Sequence, residues 1–189
     1  MRISGGQAKG IPLHVPKGVN LRPATEANRE RLFSSLGESI IQASFLDLFA
    51  GTGSYGLEAI SRGAQDGVFV ENNRKAQSSL KNNLAKVCKS AHVNPSCGTV
   101  QCRDVIEFLK NENQSFDLVF LDPPYPLFPK IGNLLFEIIR EKEILKKDGL
   151  LIHEAPSEAD DNFTGWKILR KTGKSKRGSP QFRFFQLLD

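Results

Sequence analysis

The stretch Phe45-Leu46-Asp47-Leu48-Phe49-Ala50-Gly51-Thr52-Gly53-Ser54-Tyr55-Gly56 decides the fold of this chain. Its first half is a short apolar run, which predicts a buried strand over residues 45–50. Three glycines follow with the G-x-G-x-x-G spacing of a nucleotide-binding turn, and a helix is predicted from this turn to Gly63. A strand, a glycine turn and a helix in this order predict one unit of a parallel sheet.

The same alternation continues downstream. Further strands are predicted at 68–70, 99–102, 116–121 and 149–153, with helices at about 73–88, 105–110 and 131–140. Strands that alternate with helices predict a parallel sheet covered on both faces. Two last strands, 166–169 and 182–188, are joined by the basic loop 172–180, which is too short for a parallel crossover. We therefore predict an α/β fold with a mostly parallel sheet, helices on both of its faces and an antiparallel last strand.

A small extension precedes this domain. Residues 2–4 and 11–15 are β-like runs separated by glycines, so residues 1–21 are predicted to form a β-hairpin extension. Pro12 and Pro16 limit its strands to sheet edges. A helix is predicted over 26–36, with Thr25 as its N-cap and Gly37 as its stop. Residues 22–189 then form the α/β domain.

The composition excludes several classes of protein. The 189 residues, 39% hydrophobic and 25% charged, suit one globular domain and contain no apolar run of about 20 residues that would span a bilayer. The first residues lack the apolar core of a signal peptide, which predicts a cytoplasmic protein. The cysteines, Cys88, Cys97 and Cys102, are odd in number and unpaired in spacing, and the histidines are scattered, so no metal site is expected.

The charge is unevenly distributed. Residues 1–31 carry a net charge of +4 and residues 162–188 a net charge of +7, whereas residues 32–161 carry −5. Two basic ends around an acidic body favour a polyanionic partner. Two solvated, lysine-rich termini are the alternative interpretation.

The residues around the glycine turn indicate the kind of cofactor. Gly51 permits the turn, Gly53 permits a ligand to approach the backbone, and Glu71, at the tip of the next strand, can accept hydrogen bonds from ribose hydroxyls. Asp47 lies four residues before Gly51, where a carboxylate suits the ammonium and sulfonium of S-adenosylmethionine and repels the pyrophosphate of NAD. The alternative is an Asp47 that only accepts hydrogen bonds from local backbone amides.

The segment Leu121-Asp122-Pro123-Pro124-Tyr125 follows the fourth strand and suits methylation of an exocyclic amino nitrogen. Such a nitrogen is a poor nucleophile because its lone pair is delocalised into the ring. The Asp122 carboxylate and the Pro123 carbonyl can orient its N–H bonds, and Pro124 restricts the backbone of Pro123. Tyr125 offers a flat face for the base. A plain proline turn after a strand is the alternative.

These motifs resemble the 16S ribosomal RNA guanine-966 N2-methyltransferase family, and the similarity covers nearly the whole chain. The shared segments, in the family's order, are Arg2-Ile3 with Gly5-Gly6, Arg22-Pro23, Arg29-Glu30 with Leu32-Phe33, 46–53, 56–59, 61–64, 69–71 and 121–125. The resemblance implies a doubly wound, seven-stranded sheet of the Rossmann-like class I methyltransferase fold, with S-adenosyl-L-methionine as cofactor. It also implies transfer to N2 of a guanine in 16S ribosomal RNA of the small ribosomal subunit, free or in the particle.

The resemblance also implies roles for residues. Asp122, Pro123 and Tyr125 are expected to be catalytic, and Asp47, Gly51, Gly53 and Glu71 to bind the cofactor. Asp104 can cap the helix that follows it, and the resemblance adds a contact to the cofactor's adenine amino group. The basic residues expected to contact RNA are Arg2, Lys9, Arg22, Arg29, Lys174, Lys176 and Arg177.

Two positions depart from the family pattern. Ala27-Asn28 stands where the family usually has Arg–Val, and Arg177-Gly178 where it often has Tyr-Gly. Both lie in segments expected to contact RNA, so they concern the substrate more than the chemistry. Three alternatives stay open at this point: N6-adenine methylation of DNA or RNA, since the Asp-Pro-Pro-Tyr motif is shared with those enzymes; an NAD-dependent oxidoreductase; and a non-catalytic RNA-binding protein.

Overall fold

A seven-stranded sheet forms the centre of the computed structural model, which describes residues 1–16 and 25–188. The strands are β1 (Ser44–Leu48), β2 (Asp66–Val70), β3 (Gly98–Gln101), β4 (Phe116–Leu121), β5 (Leu145–Pro156), β6 (Trp166–Gly173) and β7 (Pro180–Leu187). The helices are α1 (Glu26–Leu36), α2 (Ser54–Ser61), α3 (Arg74–Ala91), α4 (Val105–Asn111) and α5 (Phe128–Glu141). No helix in these ranges has the length and apolar character needed to cross a membrane.

The strand order is β3-β2-β1-β4-β5-β7-β6. Strands β1 to β5 pair in parallel, and β7 is antiparallel to both of its neighbours. The predicted doubly wound sheet with an antiparallel last strand is therefore confirmed. The winding reverses between β1 and β4, where Leu48 pairs with Leu121. Ligands bind at such reversals because the loops on either side diverge and leave a crevice.

Local signals define several helix ends. The Thr25 side chain accepts a hydrogen bond from the Asn28 amide, and α1 ends before Gly37, whose φ is 56°, as predicted. Helix α3 continues to Ala91, three residues beyond the prediction, and ends at the left-handed His92. Helix α5 begins at Phe128, three residues earlier than predicted, with Pro129 in its first turn.

Strand β5 is longer than the predicted 149–153 because tertiary pairing extends it. Its first half contains the exposed Lys146, Lys147 and Asp148, which break any apolar pattern. Its first residue, Leu145, nevertheless pairs with Phe116 of β4, and its last, Pro156, pairs with Pro180 of β7. Strand β1, in contrast, stops at Leu48 because Phe49 turns the chain with a φ of 61°.

The N-terminal segment forms a hairpin that packs on the domain. Arg2 and Pro12 form an antiparallel bridge, and the Ile3 amide donates to the Ile11 carbonyl at 2.9 Å. Ile3, Ala8 and Leu13 of this hairpin are buried in the same apolar cluster as α1, α2 and α3. The hairpin is thus part of the core on one face of the sheet, while α4 and α5 cover the other face. Of the extension predicted over 1–21, residues 17–21 lie outside the described residues.

Arg29 corrects one prediction. It was expected to contact RNA, but its side chain is fully buried and its Nε lies 3.6 Å from the carboxylate of Glu58. Its Nη2 also donates to the Arg2 carbonyl. The guanidinium is therefore engaged inside the protein, where it joins α1 to α2 and to the hairpin, and is not available to a phosphate.

Candidate active site

Four acidic side chains lie at the carboxyl edge of four adjacent strands. They are Asp47 of β1, Glu71 after β2, Asp122 after β4 and Glu154 of β5. Asp47, Glu71 and Glu154 are buried and Asp122 is half-buried. The structure thus brings three of the predicted site residues together and adds a fourth carboxylate beside them.

The glycine turn after β1 has backbone angles that glycine favours. Gly51 has a φ of 57° and Gly53 a φ of 87°. A Cβ on Gly53 would also lie 2.2 Å from Cδ1 of Leu80 in α3 and 3.0 Å from Leu57. Gly53 was predicted to let a ligand approach the backbone. The structure gives a second reason for glycine at this position, because α3 packs directly against it and leaves no room for a side chain.

Two of the carboxylates accept hydrogen bonds from backbone amides of the turn and of the starts of the helices α2 and α3 beside it. Glu71 accepts hydrogen bonds from the amides of Gly51 at 2.8 Å and Asn73 at 2.7 Å. Asp47 accepts one from the amide of Gly56 at 2.9 Å. In dinucleotide-binding folds the amides at this turn and helix start face the pyrophosphate. Here carboxylates occupy two of these amides, those of Gly51 and Gly56, which argues against the NAD-dependent alternative.

Burial of Asp47 makes its charge costly. Desolvation raises the pKa of Asp47 from 3.8 to about 7, the hydrogen bond from Gly56 lowers it, and the charge of Glu71 raises it further. A cation bound next to Asp47 would favour its ionised form. The local amide contact that was an alternative role for Asp47 is present, and it is compatible with a cationic ligand.

We expect Asp47 to leave a measurable signature in the pH dependence of folding. Between pH 3.8 and about 7 the folded chain keeps the Asp47 proton that the unfolded chain has lost, so stability falls as the pH rises through this window. A shift of one pKa unit corresponds to about 1.4 kcal/mol. The unfolding free energy of Asp47→Asn, relative to that of the parent protein, should therefore rise by about 2–3 kcal/mol between pH 5 and pH 8. Urea unfolding of both proteins at the two pH values measures this gain.

The comparison with the variant is necessary because His153 acts in the opposite direction. Burial, followed by the charge of Arg183, lowers the pKa of His153 from 6.5 to about 3, so stability rises with pH between 3 and 6.5. The two effects partly cancel in the parent protein. Identical pH dependence in the parent and in Asp47→Asn would contradict the shift assigned to Asp47.

The Asp-Pro-Pro-Tyr segment leaves the sheet where predicted. Asp122 directly follows β4, Pro123 is buried, and Tyr125 is half-buried. The carbonyl of Pro124 accepts hydrogen bonds from the amides of Leu127 at 2.8 Å and Phe128 at 3.3 Å. The segment is thereby closed onto the start of α5, which fixes the backbone that carries Asp122 and Pro123.

Tyr55 and Glu154 were missed in the sequence. Tyr55, on α2, is buried, its ring stacks on Phe120 at a centroid distance of 5.9 Å, and its hydroxyl donates a hydrogen bond to Glu154. Burial raises the pKa of Tyr55 well above its usual value, and the charges of Asp122, Glu154 and Asp47 raise it further. One phenol therefore lies within the fields of three carboxylates. The one signal in the sequence was that Glu154 is an acidic residue in the otherwise apolar end of β5. This acidic residue belongs to no recognised motif.

Two further polar side chains, one on β5 and one on β7, are also buried. The ring of His153 lies 4.0 Å from that of Phe128, and its Nδ1 has no hydrogen-bond partner among the described residues. Arg183 of β7 donates to the carbonyls of Pro156, Ser157 and Ala159. These contacts hold the loop after β5 against the sheet.

Asp104 lies at the outer end of the sheet, after β3. Its side chain accepts hydrogen bonds from the amides of Ile106 at 2.8 Å and Glu107 at 3.1 Å, which confirms the predicted cap of α4. The side chain is exposed. A contact to an adenine amino group stays a prediction.

The predicted RNA-contacting residues fall into different places. Lys174, Lys176 and Arg177 are exposed in the turn between β6 and β7, and this turn lies at the carboxyl edge because Pro180 pairs with Pro156.

Arg2 is exposed and forms an ion pair of 3.1 Å with Glu26. Lys9 is exposed near the C-terminal end of α2, away from the glycine turn, since the neighbouring Gln7 amide donates to Ser61. Arg22 lies outside the described residues.

Comparison with known proteins places the chain in a family. The family model described as "Conserved hypothetical protein 95" matches residues 1–186. The chain belongs to this family. It is 37% identical to ribosomal RNA small subunit methyltransferase D of Escherichia coli K12, over 98% of this chain and 89% of that one. The methyltransferase D of Haemophilus influenzae is 34% identical, over 98% and 93%.

The fold agrees with this assignment. The solved structure of yhhF from Escherichia coli matches with a TM-score of 0.84 and 27% identity, and the match covers 100% of this chain and 98% of that one. The class I methyltransferase fold and the family resemblance predicted from the sequence are confirmed. Across residues 1–16 and 25–188, no group of three or more His, Cys, Asp or Glu side chains is placed to hold a metal ion.

Proposed function

We propose that this protein transfers a methyl group from S-adenosyl-L-methionine to N2 of a guanine in 16S ribosomal RNA. The proposal depends on one observation: Asp122 and Pro123 leave β4 beside the glycine turn of β1, at the reversal of the sheet. The names of the relatives support methylation of small-subunit ribosomal RNA. The choice of guanine N2 depends on the resemblance of the sequence to the guanine-966 N2-methyltransferase family.

The residues of the turn fit this cofactor. It carries an α-ammonium and a sulfonium, and the site presents the buried carboxylates Asp47 and Glu71 with no basic side chain hydrogen-bonded to either among the described contacts. Asp47, Gly51, Gly53 and Glu71 would hold it, with Asp104 near its adenine. When bound, the cofactor supplies an electrophilic methyl group attached to sulfur.

The chain's own contribution is to orient the amino group. The Asp122 carboxylate and the Pro123 carbonyl each accept a hydrogen bond from one N–H of the amino group. These two bonds favour a tetrahedral nitrogen whose lone pair points away from the ring system. The nitrogen forms a bond to the methyl carbon as the sulfur–methyl bond breaks and leaves a neutral thioether. The nitrogen loses one proton, which we assign to the Asp122 carboxylate. Alignment of the two reactants provides most of the acceleration. Tyr125 supports the face of the base.

The RNA would be held by the turn between β6 and β7. Two hydrogen bonds fix this turn: the Gly178 amide donates to Glu158 at 2.8 Å, and the Ser157 hydroxyl donates to the Lys176 carbonyl at 3.0 Å. Lys174, Lys176 and Arg177 then form a basic rim at the edge that carries Asp122. Phosphate contacts of this kind position a nucleic acid without reading its sequence.

A labelling reaction tests the proposal. Protein and cofactor with a labelled methyl group are incubated with naked 16S ribosomal RNA and with small subunits that lack the modification, and the nucleosides are then separated by mass. We expect N2-methylguanosine, and fully modified subunits serve as the unlabelled control. Labelled N6-methyladenosine would establish the adenine alternative, and unlabelled RNA in both forms would refute methyl transfer to this substrate.

A further inference from the structure

Glu154 is a second carboxylate placed level with Asp122. Leu121 of β4 pairs with His153 of β5, so the next residue on each strand, Asp122 and Glu154, are neighbours at the edge of the sheet. The Tyr55 hydroxyl lies in the fields of both carboxylates. Neighbouring strands are about 4.8 Å apart, which brings two such carboxylates within reach of one edge of a base.

The position of Glu154 is fixed by its surroundings. The Tyr55 hydroxyl donates to its Oε2, and Tyr55 itself is held by stacking on Phe120. Glu154 is 8% exposed and lies among Tyr55, Phe120, Ile152 and Phe182. A carboxylate accepts up to about four hydrogen bonds, and one of those at Glu154 comes from the Tyr55 hydroxyl. In buried surroundings each hydrogen bond to a carboxylate is stronger than in water.

Two adjacent carboxylates match the hydrogen-bonding edge of guanine. Guanine presents N1–H and the N2 amino group side by side, both of them donors. Adenine presents an acceptor at N1, whose lone pair an ionised carboxylate would repel. Sites that pair a buried polar group with a substrate N–H discriminate strongly against an analogue that lacks it, because the protein group is then left without a partner.

We infer that Glu154 is a specificity-determining residue that accepts a hydrogen bond from N1–H of the target guanine. Asp122 and Pro123 orient the N2 amino group of the same base. Tyr55 acts as a positioning residue that holds the Glu154 carboxylate toward Asp122. This inference depends on the proposed function, because it names the part of the base that the same site recognises. It also provides a reason for the site to reject adenine, whose methylation the Asp-Pro-Pro-Tyr motif alone would permit.

The test uses 2-aminopurine, which keeps the N2 amino group of guanine but lacks O6 and has an acceptor in place of N1–H. The full-length protein is assayed on 16S ribosomal RNA that carries guanine or 2-aminopurine at the mapped target position. The parent protein should prefer guanine by about 100-fold in kcat/KM, the size expected for a hydrogen bond to a charged group. In Glu154→Gln this preference should fall to near or below one, because the glutamine amide can donate to N1 of 2-aminopurine.

Two further variants separate recognition from folding. Glu137→Gln, an exposed change of the same type on α5, should keep the parental preference. Tyr55→Phe keeps the carboxylate but removes its donor, so the preference should weaken to a value between those of the parent and Glu154→Gln. Thermal unfolding of each variant checks that the fold is retained.

The outcomes distinguish the inference from the proposed function. No methylation of guanine RNA by the parent protein would overturn the proposed function itself. Methylation of guanine and 2-aminopurine at equal rates by the parent protein would overturn the role of Glu154 without any variant. An equal loss on both bases in Glu154→Gln, with the preference unchanged, would show a structural role and overturn the inference.

Discussion

Asp122→Asn should lower the rate of methyl transfer by about a thousandfold while the fold and the affinity for S-adenosyl-L-methionine stay near those of the parent protein. Asparagine has the shape of aspartate, but one of its two acceptor atoms becomes a donor, which would face the amino group it should orient. Removal of one preorganised group of this kind typically costs 10²–10³-fold in the chemical step. Single-turnover rates with labelled cofactor and saturating RNA measure the effect directly.

The control for this variant is Asp148→Asn, an exposed change in the first half of β5 and at the opposite edge of the sheet. It should react at the parental rate. Calorimetric titration with the cofactor and filter binding of RNA then show whether Asp122→Asn still binds both. Retention of more than a tenth of the activity would contradict the role of Asp122. Loss of methylation with RNA binding kept would exclude the non-catalytic alternative.

The fold was predictable wherever its signals are local. Helix α1 has the predicted bounds because Thr25 and Gly37 act on amides and angles within one turn of the helix. Strand β4 has the predicted bounds, Phe116–Leu121, because an apolar run ends at an aspartate and two prolines. The length of strand β5 was underestimated because its first half is stabilised by pairing with β4 across a register shift. No local sequence pattern indicates this half.

The candidate site divides in the same way. Asp47, Gly51 and Asp122 follow strands in recognisable motifs, so their shared edge could be inferred from a parallel sheet. Glu154 and Tyr55 could not be found, because they are 99 positions apart in the chain and meet only through the order of the strands and the placement of α2. Arg29 was assigned to RNA because it belongs to the basic N-terminal segment, and its burial depends on a partner that no sequence motif connects to it.

That partner, Glu58, should be among the most costly charged residues to remove for stability. It is fully buried, and it accepts hydrogen bonds from the amide and hydroxyl of Ser4 at 2.9 and 2.7 Å. It also forms an ion pair of 2.9 Å with Arg62 and faces Arg29 at 3.6 Å. Glu58→Ala would leave the buried Arg29 charge without this carboxylate and the Ser4 amide without its acceptor, and would loosen the N-terminal hairpin.

We expect Glu58→Ala to lose about 3–5 kcal/mol of unfolding free energy, the usual result of breaking a buried ion pair from one side. For a chain of this size, 1 kcal/mol corresponds to roughly 2–4 °C, so the melting temperature should fall by roughly 10 °C. Glu30→Ala, an exposed change on α1, is the matched control and should change stability by less than about 0.5 kcal/mol. Urea unfolding and calorimetry give both quantities.

The double variant Arg29→Met with Glu58→Ala shows which lost interaction accounts for the fall in unfolding free energy of Glu58→Ala. If most of the loss in Glu58→Ala comes from a buried positive charge without its carboxylate, the additional loss of that charge should restore part of the stability, because an apolar side chain tolerates the same surroundings. If the double variant is instead less stable than Glu58→Ala by the full cost of the single Arg29→Met change, the two residues act independently. Arg29 would then stabilise the hairpin through its contact with the Arg2 carbonyl alone, and Glu58 through Ser4 and Arg62.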